Sequence, residues 1–237
     1  GKFSFRKFSN REWLFPPVSF FRPMKLIEFI PALIKTARQA GDAILEIYNH
    51  AADFGIEQKA DRSPLTLADK ASNELICNRL NNLPEVFPII SEENKITPFE
   101  QRKTWQRCWL VDPLDGTKEF IKRNGDFTVN IALVENGRPI LGIVHAPVSG
   151  ELCWGALGEG AFLVKNQMQM PLECAPFRLS DSNLNVDCSR SHLTAETEAF
   201  IAQFHDPNLV SRGSSLKFLL LAKGDAHVYP RIARRHM

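Results

Sequence analysis

Acidic residues concentrate in three short segments of this chain, at or beside the ends of apolar stretches. A carboxylate at the end of a strand is poorly placed for a core but well placed to line a cleft. Two or three carboxylates that converge with a backbone carbonyl form an oxygen-only site, which suits Mg²⁺ better than Zn²⁺. The segments are SEE (91–93), WLVDPLDGT (109–117) and KADRSPLTLAD (59–69).

The second segment carries the strongest signal. Asp112 and Asp115 follow an apolar run, and Pro113 stiffens the backbone between them. Gly116 and Thr117 then open a short predicted helix, whose free N–H groups could hold a phosphate. Any one acid alone is explained by an ordinary helix cap or turn, but the assembled string DPLDGT after an apolar strand favours a cation and phosphate site.

Two predicted helices lie in the first half of the chain. Apolar residues recur at helical spacing over 25–49, and residues 66–81 form the second helix. Gly41 within the first helix indicates close packing there. Thr66 or Ser63 is the expected N-cap of the second.

Short apolar runs predict the strands that deliver the acids. Run 87–90 ends before Glu92, run 108–111 ends before Asp112, and Asn136-Gly137 predicts a hairpin turn. Beyond about residue 176 the pattern changes to strands alternating with helices. The remaining predicted strands are 127–134, 139–145, 151–156, 160–164, 184–188, 208–211 and 226–230, and the remaining helices are 117–122, 194–204 and 214–223.

Composition bounds the class of protein. The 237 residues carry 29 Lys and Arg against 27 Asp and Glu, a formal net charge of +2, which argues against a protein that coats nucleic acid. With 44% apolar and 24% charged residues the sequence is typical of a soluble globular protein. No run approaches the roughly 18 apolar residues of a membrane span. Five scattered cysteines without a CxxC pair favour a reducing cytosol over a disulfide framework or a zinc site.

The sequence resembles the inositol monophosphatase superfamily, whose motif is an EE pair followed by a strand ending in DPxDGT. Within it, the chain is similar to the CysQ-type 3′(2′),5′-bisphosphate nucleotidases. The resemblance covers residues 24–231 and implies Mg²⁺-dependent hydrolysis of 3′-phosphoadenosine 5′-phosphate to AMP and phosphate. The segments that carry it are WLVDPLDGTKEFIKRNGDFTVNIAL (109–133), KADRSPLTLAD (59–69), SRSH (189–192), GSSLKF (213–218) and YPR (229–231).

The resemblance implies a site for two or more Mg²⁺ ions. Glu92, Asp112 and the carbonyl of Leu114 match the family's ligands for the first metal. Asp112 and Asp115 match the ligands for the second, so that Asp112 bridges the two. Such a pair of cations clamps phosphoryl oxygens and activates the attacking water.

Other matching positions supply the roles around the metals. Thr117 and Asp69 match the catalytic pair that orients and deprotonates the water. Glu93 lies behind the ligands and holds Glu92 or a water. Lys59 and Asp61 line the edge of the site, although helix-cap or surface roles fit them equally.

The stretch Gly213–Lys217 resembles the family's nucleotide-binding segment, a glycine-led helix start with hydroxyls and a lysine suited to a second phosphate. Arg231 could add a bidentate phosphate contact. A plain capped helix with a solvated lysine is the alternative. His192 could face the nucleotide or be structural. The predicted substrate-binding residues are Glu92, Asp115, Gly116, Thr117, Ser215, Lys217 and Arg231.

The resemblance also implies the fold, a layered αβαβα sandwich that combines α+β and α/β parts, with its C-terminal part incomplete. We expect the boundary between the two parts near 165–176. The four expected segments are a non-family extension (1–23), an α+β domain with the metal site (24–170), a partial α/β substrate domain (171–231) and a non-family tail (232–237).

The C-terminal end departs from the family pattern. After YPR the family continues to a Trp-Asp pair whose Asp ligates the second metal, whereas this chain reads Ile232-Ala-Arg-Arg-His-Met. Because of this departure, one alternative to a bisphosphate nucleotidase is an inactive chain that binds metal or nucleotide. The other is an inositol monophosphatase, which KEFIKRNGDFTVNIAL (118–133) and GSSLKF (213–218) disfavour. The expected partner is a bisphosphorylated nucleotide and not nucleic acid. The expected location is the cytoplasm, with peripheral association at the inner membrane suggested by the family.

Overall fold

A computed structural model describes residues 25–59, 63–188 and 194–232. Its centre is a seven-stranded sheet in the order β3-β4-β5-β6-β7-β8-β9, in which β3 and β4 are parallel and every other neighbouring pair is antiparallel. The strands are β3 (Ile89–Ser91), β4 (Arg107–Asp115), β5 (Thr128–Glu135), β6 (Arg138–Ala146), β7 (Glu151–Ala156), β8 (Gly160–Lys165) and β9 (Met168–Pro171).

Smaller elements surround this sheet. Strands β1 (Glu57–Gln58) and β2 (Pro64–Leu65) form an antiparallel pair, and β10 (Asn185–Asp187) and β11 (Asn208–Val210) form a parallel pair. A short 3₁₀ helix precedes α1. The helices are the 3₁₀ helix (Leu26–Glu28), α1 (Ile30–His50), α2 (Leu67–Asn81), α3 (Phe99–Arg102), α4 (Thr117–Ile121), α5 (Ala195–Ile201) and α6 (Leu216–Ala222).

Helices α1 and α2 pack on each other and on strands β4, β5 and β6, and the main core lies between these helices and the sheet. Its largest fully buried side chains include Trp109, Phe120 and Phe127. Tyr48 of α1 has its ring centroid 5.2 Å from that of Phe120 and 5.1 Å from that of Phe127. Because Phe120 belongs to α4, this aromatic cluster fixes the short helix that begins at Thr117.

Gly41 confirms the predicted close packing of α1. A Cβ at this position would lie 2.7 Å from two ring atoms of His145 on β6, so a larger residue does not fit. His145 is buried, and its Nδ1 lies 3.0 Å from the backbone oxygen of Glu151. The missing side chain therefore lets the helix approach the sheet at the level of this histidine.

Several predicted boundaries move for physical reasons. The first helix begins at Ile30 rather than at 25, because the ring of Pro31 excludes the helical carbonyl four residues earlier and Pro31 has no N–H to donate. The strand predicted at 226–230 is wrong: only Val228 forms a bridge, to Val186, and Pro230 cannot donate to a ladder. The later helices are shorter than predicted, ending at Ile201 and Ala222.

Other expectations are confirmed. Asn136 and Gly137 both have positive φ, 49° and 78°, and form the hairpin turn between β5 and β6. A second cluster of buried residues lies beyond β9, around Val186 and Ile201. The division into segments 24–170 and 171–231 stays a proposal. Among the described residues, no helix has the length and apolarity that crossing a membrane requires.

Candidate active site

The acidic segment of β4 ends in an irregularity that turns both aspartates toward the same region. Asp112 pairs with Asn130 of β5 and Asp115 pairs with Thr128, so three steps along β4 match two along β5. An extra residue of this kind is a β-bulge, which bends its strand and redirects side chains. The hydroxyl of Ser72, buried on α2, donates to the Pro113 carbonyl at 2.7 Å and holds the bulge in place.

The surroundings of Asp112 strongly disfavour its charged form. Burial and the neighbouring charges of Asp115 and Glu92 raise its pKa to about 8. Its Oδ1 atom is buried and has no hydrogen-bond partner. A buried carboxylate oxygen without a donor, beside two more carboxylates, fits a divalent cation, because a cation would satisfy the oxygen and offset the mutual repulsion.

Asp115 has different surroundings. Burial raises its pKa, while a hydrogen bond from the Ser215 backbone and the charge of Lys217 act in the opposite direction without cancelling the rise. Both groups belong to the segment predicted to bind nucleotide. Asp115 thus connects the acidic segment of β4 to the beginning of α6.

Glu92 and Glu93 share one cation of the chain itself. Lys59 Nζ lies 2.7 Å from a carboxylate oxygen of Glu92 and 2.6 Å from one of Glu93. The Glu93 side chain is only 7% exposed, against 51% for Glu92, so Glu93 is the buried partner and Glu92 reaches outward. Burial raises the pKa of Glu93, and Lys59 offsets only part of that rise. Burial lowers the pKa of Lys59, but its hydrogen bonds to Glu92 and Glu93 outweigh burial and the net pKa is raised.

The two carboxylate oxygens of Asp69 have separate partners. Oδ2 accepts hydrogen bonds from the N–H and the hydroxyl of Thr66, and with the return bond from Asp69 N–H these contacts form a capping box that begins α2. Oδ1 lies 3.1 Å from the Thr117 hydroxyl, which is also 3.4 Å from the Leu114 carbonyl. Thr66 is therefore the N-cap, and Asp69 is both a cap and the partner of Thr117. Burial raises the pKa of Asp69.

The segment before α6 is tied to strand β5. Ser215 Oγ lies 2.7 Å from Thr128 Oγ1 and donates to Asn130 Oδ1 at 2.8 Å. Lys217 Nζ donates to the Ser214 carbonyl at 3.3 Å and lies 5.6 Å from the ring centroid of Tyr229. Two of the predicted substrate residues, Ser215 and Lys217, thus lie beside Asp115.

The predicted metal ligands lie near one another, but their side chains are not arranged to coordinate a metal ion. In the described part of the chain, no three His, Cys, Asp or Glu side chains are gathered closely enough to hold a metal ion as they stand. Oε1 of Glu92 is paired with Lys59, so ligation by Glu92 would use its other carboxylate oxygen or replace this contact. Arg231 is exposed. Asp61 and His192 lie outside the described residues.

A pocket of about 370 Å³ adjoins the acids. Ser91, Glu92, Asp112 and Asn130 form part of its wall, and apolar residues and Gly142 of β3 to β6 form the rest. This pocket is shallow and largely apolar, and Asp69, Asp115 and Thr117 do not line it, so it lies beside the acids rather than enclosing them.

Sequence reasoning assigned no role to Ser72, Thr128 or Asn130. The two β5 residues alternate within the string DFTVNIAL, where polar residues interrupt an apolar strand, and this alternation was the available signal. Ser72 gave no signal, because its partner is a carbonyl 41 residues away.

The fold agrees with the family whose model matches most of the chain. The model of the inositol monophosphatase family matches residues 25–237. The chain therefore belongs to the inositol monophosphatase family. It is 46% identical over 198 residues to the 3′(2′),5′-bisphosphate nucleotidase CysQ of Escherichia coli O157:H7, a match that covers 82% of this chain and 77% of that protein.

Further relatives support the same placement. The protein of that name from Buchnera aphidicola is 36% identical over 227 residues, covering 93% of this chain and 82% of its own. The crystal structure of CysQ from Bacteroides thetaiotaomicron superposes with a TM-score of 0.73 at 42% identity, over 87% of this chain and 80% of that one. A suppressor protein suhB from Bartonella henselae, at 22% identity and a TM-score of 0.68, shares the fold.

Proposed function

We propose that this protein is a Mg²⁺-dependent 3′(2′),5′-bisphosphate nucleotidase that hydrolyses 3′-phosphoadenosine 5′-phosphate to AMP and phosphate. The observation that carries the proposal is its 46% identity, over 198 residues, to a protein named for that activity. The acidic site and the adjoining pocket supply a chemically suitable place for the reaction.

The carboxylates of Glu92, Asp112 and Asp115 and the carbonyl of Leu114 would hold the Mg²⁺ ions. When bound, the ions would offset phosphoryl charge and lower the pKa of the attacking water. The unpartnered Oδ1 of Asp112 is the oxygen with the strongest need for such a partner. Lys59 would keep Glu93 ionised and in place behind Glu92.

Proton transfer falls to Asp69 and Thr117. The Thr117 hydroxyl lies 3.1 Å from Asp69 Oδ1, so it can pass a proton to that oxygen while it orients the attacking water. Asp69 Oδ2 accepts hydrogen bonds from the N–H and the hydroxyl of Thr66, the N-cap of α2. Asp69 is therefore held in place through Oδ2, and its Oδ1 is available to accept a proton.

Substrate alignment falls to the start of α6. Ser215 and Lys217 would contact the phosphate that is not cleaved, Gly116 and Thr117 would place N–H groups beside the reacting one, and Arg231 would add an outer contact.

Five free thiols suit a cytoplasmic location, which we also propose. Peripheral association with the inner membrane stays a prediction.

The test is phosphate release from 3′-phosphoadenosine 5′-phosphate and from inositol 1-phosphate, each with Mg²⁺ and with EDTA. We expect turnover of the nucleotide that requires Mg²⁺ and exceeds turnover of the inositol phosphate. Faster turnover of inositol phosphate would move the assignment to the inositol branch of the family. Nucleotide turnover that persists in EDTA would contradict the metal assignment.

A further inference from the structure

The segment that carries Ser215 and Lys217 is anchored by a residue with no assigned role, Asp126. Its side chain is almost fully buried, at 5% exposure. Oδ2 accepts the backbone N–H of Gly213 at 2.9 Å, and Oδ1 accepts from Nη1 of Arg212 at 3.1 Å. Because the Arg212 side chain is 53% exposed, solvent weakens the ion pair, and the bond to the Gly213 backbone is the stronger anchor.

Two glycines allow two turns to close on Asp126. A Cβ on Gly213 would lie 2.9 Å from Asp126 Cβ, and one on Gly116 would lie 2.8 Å from the Asp126 carbonyl. Gly116 has a φ of +100°, and its Cβ would also lie 3.0 Å from the Ser214 side chain. The turn that leads into Thr117 and the turn that leads into Ser215 are therefore in contact through one residue.

Asp126 is the first of three polar residues at alternate positions that reach the same segment. Thr128 and Asn130 follow it and hold Ser215 Oγ. The strand that carries these two residues is paired with β4, with Thr128 opposite Asp115 and Asn130 opposite Asp112. The row Asp126, Thr128 and Asn130 thus fixes the start of α6 at a set distance from the metal-site aspartates.

We propose that Asp126 is a positioning residue for the proposed reaction: through Gly213 it sets where Ser215 and Lys217 stand relative to Asp115. This inference rests on the proposed function, in which one phosphate lies at the acids and the other at Ser215 and Lys217. Misplacement of a binding group relative to the reacting group weakens substrate binding even when the catalytic residues are intact.

The experiment compares four variants by steady-state kinetics and by hydrogen exchange of the amides in 213–217. Asp126→Ala removes both acceptors, and Asp126→Asn keeps one neutral acceptor oxygen. Arg212→Ala removes only the exposed ion pair. Asp53→Ala is a matched control, because Asp53 Oδ1 also accepts a glycine N–H, that of Gly55 at 2.9 Å, in an exposed loop.

We expect D126A to raise the KM for 3′-phosphoadenosine 5′-phosphate about tenfold or more while kcat changes much less, since a lost charged acceptor is a loss of this order. D126N should lower KM again to about threefold above that of the parent, since a neutral acceptor is weaker than a charged one, and R212A and D53A should match the parent. Amide exchange in 213–217 should accelerate in D126A but not in R212A or D53A. If D126A does not fold, D126N should still show a KM about threefold above that of R212A, because a neutral acceptor is weaker.

Three results would overturn the proposal. The first is a KM for D126A within about twofold of the parent, which is below the effect of losing one such bond. The second is an equal effect of R212A, which would assign the role to the ion pair. The third is a loss of kcat with no change in KM or in exchange, which is the signature of a merely structural residue. If the parent turns over no bisphosphate nucleotide, the proposed function fails, and the exchange data alone decide whether Asp126 anchors the segment.

Discussion

Lys59 Nζ lies 2.6 Å from the Glu93 carboxylate, and this pair is buried more deeply than the pair that Lys59 makes with Glu92. One ammonium group therefore neutralises a carboxylate that has almost no access to water. The same contact holds the loop after β3 against the residues that follow β1. The lysine supports the acidic site from behind rather than merely lining its edge.

Replacement of Lys59 by alanine should destabilise the metal-free protein by about 2 kcal/mol, because it leaves the Glu93 charge buried without a partner. Urea denaturation at pH 7 in EDTA measures this change. Lys70→Ala is the matched control, since Lys70 pairs with Glu57 at 2.7 Å and both side chains are exposed. An equal decrease in the free energy of unfolding in both variants would show that the burial of Glu93 does not affect stability.

Asp112→Asn should abolish turnover and yet stabilise the metal-free protein at pH 8. The folded-state pKa of Asp112 is about 8 and lies above its ordinary unfolded value, so the unfolded chain releases this proton first as pH rises. Stability of the metal-free parent should therefore fall between about pH 4 and pH 8, and D112N should lack that part of the fall. The midpoint of thermal unfolding in EDTA should differ by a few degrees between the two at pH 8 and converge near pH 4.

Added Mg²⁺ gives the control for this variant. It should raise the unfolding midpoint of the parent and have a much smaller effect on D112N, because binding to the folded state stabilises it. Turnover by D112N within about tenfold of the parent would contradict the assignment of Asp112 as bridging ligand.

Thr117→Val should lower kcat by about 10² to 10⁴, the range for loss of a proton-transfer group, with a smaller change in KM. Valine keeps the shape of threonine but removes the hydroxyl that lies 3.1 Å from Asp69 Oδ1. Thr117→Ser keeps the hydroxyl and should retain activity within about tenfold of the parent. Equal losses in both variants would mean that the methyl group, and not the hydroxyl, is what the site requires.

Gly41→Ala should destabilise the protein although alanine is the better helix former. The gain in helix propensity is about 1 kcal/mol, whereas overpacking against a fixed ring costs about 1–3 kcal/mol. The His145 ring cannot move aside easily, because it is buried and its Nδ1 contacts the Glu151 carbonyl. Gly142→Ala is the control, since a Cβ there meets nothing within 4 Å. A G41A variant more stable than the parent would show that the ring gives way.

Sequence patterns located most of the architecture because they reflect local rules. The N-cap of α2, predicted at Thr66 or Ser63, and the turn at Asn136 each depend on neighbouring residues. Gly41 was a signal because it interrupts a helical pattern, although its partner His145 is distant in the sequence. The acidic string of β4 was recognisable because its composition is unusual for a strand end.

The features that the sequence did not predict are contacts between distant residues or segments without a distinctive composition. Strand β9 has only four residues and ends in a proline, so its alternation of Met168, Gln169 and Met170 is too short a signal to predict a strand. The contact between Asp126 and Gly213 joins residues 87 positions apart, and no periodicity announces it. Likewise, the pairing of Lys59 with Glu92 and Glu93 joins residues more than 30 positions apart in the sequence. The family resemblance identified the candidate ligands, but the hydrogen bonds and ion pairs that hold them were visible only in the three-dimensional structure.

The divided use of Asp69 links the thermal behaviour of the site to that of a single helical turn. If the first turn of α2 frays, the N–H and the hydroxyl of Thr66 release Oδ2, and the carboxylate is free to swing away from Thr117. Local opening and loss of the proposed proton acceptor are then one event. Activity should therefore decline on heating before the sheet melts, in step with exchange of the amides at Ala68 to Lys70. Tightening the cap of α2 becomes a means of widening the temperature range of catalysis without altering any group that touches the substrate.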